Sequence, residues 1–147
     1  MILYDLKIII IGSDFNKSMA WFHLVFGILL FVVFTQTGAC MRADFPDKEM
    51  MSQELRVLVR SRHIYILFSA LIHISLGAYF RFASSTWRKA VQIAGSAVLL
   101  ASSALLFRAF VVETYTLQNY SDLSRFGIYA SLAGVALHLI GGVQRKN

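Results

Sequence analysis

Four stretches of this sequence are apolar, free of charge and long enough to cross a hydrocarbon layer. They span residues 18–38, 63–80, 90–107 and 126–143. At 1.5 Å per residue, a helix of roughly twenty residues covers the ~30 Å of a bilayer core. Basic residues bracket each run: Lys17 and Arg42, Arg62 and Arg81, Lys89 and Arg108, Arg125 and Arg145. The only proline, Pro46, falls outside all four runs. Lipid offers no partner to an open backbone, so each run is expected to be a helix.

Composition supports the same class. Apolar residues make up 57% of the 147-residue chain and charged residues 15%. An ordinary soluble domain carries about 25% charge. Mean hydropathy is +0.62. A chain this short cannot hide so much apolar surface inside a water-soluble globule. The expectation is an all-α, integral membrane four-helix antiparallel bundle forming one domain.

An even number of spans places both termini on one side. Counting Lys and Arg gives seven on each side, so the charge rule alone leaves orientation open. Two acidic residues fall on the terminal side and six on the other, and the loop 81–89 is purely basic. These features favour cytoplasmic termini in a cytoplasmic (inner) membrane. Trp21, Tyr79 and Trp87 then mark one headgroup belt, and Tyr65, Tyr115 and Tyr120 the other. The apolar start, 1–12, contains Asp5 and Lys7 and reads as an interfacial segment or as a product of start-codon choice. The single Cys40 leaves the redox compartment unread.

The first loop carries helix signals. Asp44 precedes Pro46, Asp47 and Glu49, and Met51, Leu55 and Leu58 follow at helical spacing. The second helix is therefore expected to start near Pro46 and to extend over about 46–62 beyond the membrane. An amphipathic segment lying on headgroups is the other reading.

Small residues recur in heptads. Ala90, Ala94, Ala97, Ala101 and Ala104 alternate steps of four and three. Gly127, Gly134 and Gly141 recur every seven, interleaved with Ser124, Ser131 and His138. Small residues let membrane helices approach closely. Pairing the two stripes puts Ala94 near His138 and Ala101 near Ser131. In the first hairpin the expected register sets His23 against Gly77 and His73 against Gly27.

His23, His73 and His138 lie inside the spans, where ionisable groups are functional leads. Imidazoles on facing membrane helices hydrogen-bond as glue, or ligate a haem. His23 and His138 fall at similar depth, with His73 deeper. The first reading is structural glue, and the alternative is haem b held by His23 and His138, with His73 as alternate ligand. No Asp or Glu lies within the four runs, which disfavours a proton pathway. Cys40, Met41, Met50, Met51 and His63 gather soft ligands suited to copper, without a recognised spacing. Arg60, Arg62, Arg108 and Arg125 cluster at one end with Glu113 and Asp122 nearby; snorkelling to headgroups is the first reading, and a charge network or an anionic lipid site is the alternative. Ser84, Ser85, Ser102 and Ser103 have no evident base and acid, and no nucleophile elbow, phosphate loop or zinc spacing occurs. The basic residues form no continuous soluble face for nucleic acid.

The function expected is a non-catalytic accessory or scaffold subunit of a membrane complex. Its partners would be the lipid bilayer and other membrane subunits or a second copy. The cofactor is unknown, with haem b as the alternative reading.

Overall fold

A computed structural model describes residues 2–47, 51–115 and 122–142, with side chains over 16–47, 51–114 and 122–142. Lys48, Glu49, Met50, Tyr120, Val143, Arg145 and Lys146 lie outside the described residues, and the side chains of Asp5, Lys7 and Tyr115 are also not described. Four helices follow in order: α1 (Ile2–Asp44), α2 (Gln53–Tyr79), α3 (Thr86–Tyr115) and α4 (Asp122–Gly142). All four are long and apolar enough to cross a membrane. Their outer surfaces carry Leu29, Val32, Leu71, Ile93, Leu132 and Ile140, all exposed, as suits contact with acyl chains.

The helices pack mainly as two pairs, α1 with α2 and α3 with α4, and α2 and α3 join the pairs. In the first pair the glycines allow backbone contact. A methyl group on Gly77 would stand 2.5 Å from the Leu24 nitrogen, and one on Gly27 would stand 2.7 Å from the Ile74 nitrogen. The expected register is close to this, but the notches hold neighbouring backbone rather than imidazoles.

The second pair corrects the expected face of α3. Ala90, Ala94, Ala97, Ala101 and Ala104 are all exposed. The buried stripe is Gln92, Gly95, Leu99, Ser102, Leu106, Ala109 and Glu113, again at steps of three and four. Gly95 meets His138, Leu99 meets Gly134, Leu106 meets Gly127 and Gln92 meets Gly141. Ser102 hydrogen-bonds Ser131. The neighbours of His138 and Ser131 are therefore Gly95 and Ser102, not Ala94 and Ala101. One residue along a helix is a rotation of about 100°. The physical reason is that lipid does not expel alanine, whereas Gln92, Ser102 and Glu113 need internal partners. On α4 the stripe Ser124, Gly127, Ser131, Gly134, His138 and Gly141 is buried.

The loop before α2 also departs from expectation. Asp44 ends α1 rather than capping α2, and Phe45 N–H donates back to the Met41 carbonyl at 3.2 Å. Pro46 and Asp47 are not helical. The Ser52 hydroxyl accepts from Leu55 N–H at 3.3 Å, and α2 starts at Gln53. A serine cap satisfies a free helix donor at that point.

Candidate functional site

Three imidazoles from three helices meet in the interior. His23 on α1 and His73 on α2 are fully buried, and His138 on α4 is 9% exposed. Helix α3 contributes Ser96 and Ser103, and α2 adds Ser69, all buried. The His23 and His73 rings stack with centroids 5.0 Å apart, and their Nδ1 atoms are 2.8 Å apart. His23 Nε2 lies 3.0 Å from Ser96 Oγ, which lies 3.1 Å from His138 Nε2. His73 Nε2 lies 3.0 Å from Ser103 Oγ. Phe26 meets His73 edge-on at 4.8 Å, and Phe80 lies against both His23 and His138.

Proton positions along this run follow from one carbonyl. The Ser103 hydroxyl donates to the Leu99 carbonyl at 2.8 Å. A hydroxyl has one proton, so Ser103 accepts from its other two partners, Ser69 O–H at 2.6 Å and His73 Nε2–H. With neutral rings, His73 Nδ1 then accepts from His23 Nδ1–H. His23 Nε2 accepts from the Ser96 hydroxyl, and Ser96 accepts from His138 Nε2–H. The bonds run one way, from His138 on α4 through Ser96 on α3, His23 on α1 and His73 on α2, and back to Ser103 and the Leu99 carbonyl on α3. Both nitrogens of His23 and both of His73 are used, and the run ends on a main-chain carbonyl, which cannot pass a proton on.

A haem macrocycle needs an open slot between its two axial imidazoles, with the iron bound to a ring nitrogen on each side. Here His23 and His73 touch directly, and Ser96 stands between His23 and His138. The residues do not fit a haem b held between His23 and His138 or between His23 and His73. Among the described residues no group of three or more His, Cys, Asp or Glu is placed to hold a metal ion. A nucleophilic role for Ser103 is disfavoured by polarity: His73 donates to the hydroxyl instead of accepting its proton. Of the soft-ligand group, Met41, Met51 and His63 share one cavity, Cys40 is exposed, and Met50 is outside the described residues.

A second polar knot sits at the other end of the bundle, where the sequence offers a charge network as the alternative to snorkelling. Arg62 is buried, not snorkelling. Its Nη1 donates to the Glu113 carbonyl at 2.7 Å, and its Nε lies 3.4 Å from Glu113 Oε2. Glu113 also accepts from Leu123 N–H at 2.8 Å and Ser124 O–H at 2.7 Å. A carboxylate is well placed there, because the first turn of α4 has free N–H donors. Arg60, Arg108 and Arg125 remain exposed. Gln92 closes the opposite end, accepting from Ala83 N–H at 2.9 Å and donating to the Arg81 carbonyl at 3.0 Å.

The signal for Ser96, Ser103 and Glu113 was present in the sequence. Ser96 and Ser103 are seven apart, and Glu113 lies on the Gln92 heptad. Polar rather than small residues at that period mark the inward face.

Compared with known proteins, the chain matches no family model, no curated protein and no solved structure.

Proposed function

We propose that this small polytopic membrane protein is a non-catalytic accessory or scaffold subunit of a membrane complex. The observation that carries this reading is the one-way run from His138 to the Leu99 carbonyl, in which both ring nitrogens of His23 and of His73 are bonded. Its groups are committed to one another, as suits a clamp across four helices. Interhelical hydrogen bonds in membranes contribute about 0.6–2 kcal/mol each, so such a run adds up. The outward alanine stripe of α3 is the proposed close-approach surface for a partner helix, either of another subunit or of a second copy. Small side chains permit that approach, and packing then drives association.

The proposed architecture is a single domain of antiparallel helices. The pairings Gly27 with Ile74 and Gly77 with Leu24 support it in one hairpin. Those of Gln92 with Gly141 and Leu106 with Gly127 support it in the other. Residues 53–62 extend α2 past the hydrocarbon. The membrane is proposed to be a cytoplasmic (inner) one, with both termini cytoplasmic.

Cysteine cross-linking tests the reading. With Cys40→Ser as background, Ala97→Cys and Ala101→Cys are oxidised in native membranes and the protein is purified in a gentle detergent. The expected result is a cross-linked homo-oligomer or a stoichiometric partner. A clean monomer from both variants overturns the scaffold reading. An absorption spectrum of the same preparation tests the alternative, since a Soret band lost on His23→Ala restores haem b.

A further inference from the structure

A cavity of about 190 Å³ opens where the end of α1, Phe45, Met51 and the first turns of α2 come together. That is several times the space a single water requires. Arg42, Arg56 and Arg60 line it with His63, and Met41, Phe45 and Val59 supply apolar wall. Among the described residues none of the three arginines has a carboxylate within ion-pair distance. Asp44, Asp47 and Glu54 are exposed and form none of its walls. Arg56 uses one Nη2–H on the Met51 carbonyl at 3.3 Å, while its Nε is buried with no hydrogen-bond partner. A buried guanidinium donor left unmade is costly, and an anion removes that cost.

The fourth polar wall has the opposite character. Thr37 Oγ1 donates to the Phe34 carbonyl at 2.9 Å, so its hydroxyl proton is spent. His63 Nδ1, 3.1 Å away, must then donate to Thr37. The neutral ring therefore carries its lone pair on Nε2. Gly38 makes room for that edge: a methyl there would stand 3.3 Å from Nε2. Phe34 stacks on the ring at 4.2 Å and fixes its plane.

Three cations, one acceptor and an apolar wall at the end of a membrane helix describe one ligand chemistry. We propose that this cavity binds the headgroup of an anionic phospholipid bearing a free hydroxyl. The arginines hold the phosphate, His63 Nε2 accepts from the hydroxyl, and the apolar wall takes the start of the lipid tails. Free phosphate shares the anionic part of this chemistry but has no tail.

Native mass spectrometry of the full chain, released from detergent with titrated lipid, tests the proposal. Phosphatidylglycerol is the probe, with phosphatidylcholine, phosphatidylmethanol and inorganic phosphate as comparisons. The expected result is one retained phosphatidylglycerol per chain, bound at least tenfold more tightly than phosphatidylcholine. Phosphatidylmethanol has the same charge and lacks the hydroxyls, and is expected to bind about fivefold more weakly, the worth of one hydrogen bond. Arg56→Gln and, separately, the exposed Arg60→Gln weaken phosphatidylglycerol about tenfold. His63→Phe keeps the stack and abolishes the difference between the two anionic lipids. Arg125→Gln, an exposed change at the same end, leaves binding unaltered. Equal retention of phosphatidylcholine overturns the proposal. So does an equal loss in Arg125→Gln, which would mean surface charge alone. Inorganic phosphate that competes at equal concentration overturns the lipid assignment in favour of a free anion.

Discussion

Helix α3 carries two stripes of the same period on opposite sides, and only one is buried. The outer stripe, Ala90 to Ala104, is the more regular in composition and is exposed throughout. The inner stripe mixes Gln92, Gly95, Leu99, Ser102, Leu106 and Glu113. In water the more apolar stripe would turn inward. In lipid the tails are as apolar as the side chains, and what must leave them is the polar group. The inner face is therefore chosen by its need for hydrogen-bond partners, and glycine among the polar residues brings the partner helix near enough to supply them. Small residues permit close contact but do not select the face that makes it.

Substitutions on the two faces sharpen that difference, with effects read from thermal unfolding in detergent. The largest belongs to the charged end of the inner stripe. Glu113→Ala leaves the buried Arg62 guanidinium without its carboxylate and removes the α4 acceptor, at about 3–5 kcal/mol. The paired change of Arg62 and Glu113 to Met recovers much of that loss if desolvation is the main cost. Next comes Gly95→Leu, whose first carbon would stand 2.9 Å from His138 and 3.0 Å from the Gly134 carbonyl. Separating α3 from α4 is expected to cost about 1–3 kcal/mol or more. Ser103→Ala takes the acceptor from His73 and Ser69 and costs about 1–3 kcal/mol. The smallest effect is on the outer face: Ala97→Leu changes stability by less than about 0.5 kcal/mol. If the proposed partner helix docks on this face, Ala97→Leu is expected to lower its recovery while the fold persists. An Ala97→Leu protein that unfolds like Gly95→Leu would erase the distinction between the faces.

The same contrast explains what was legible in advance. Charge-free length located the four helices, because only helices bury their own backbone polar groups in lipid. The α4 stripe was legible because its glycines, serines and histidine share one face. On α3 the small stripe and the polar stripe compete, and periodicity alone does not rank them. The three histidines are visible as intramembrane polar groups, but nothing in their spacing names Ser96 and Ser103 as their partners. Snorkelling is the first expectation for Arg62 because its partner, Glu113, lies fifty-one positions away, too far for sequence spacing to pair them.

The sequence by itself determined the membrane class, the four spans and the set of polar groups that lipid would refuse. Those properties depend on composition and local order. The tertiary structure decided which groups answer one another: His23 with His73, Ser96 with His138, Arg62 with Glu113. It also decided which face of α3 looks inward and which way the protons point along the histidine run. Such choices depend on register between helices, where a shift of one residue turns a side chain by about 100°. No run of sequence within a single helix carries that information.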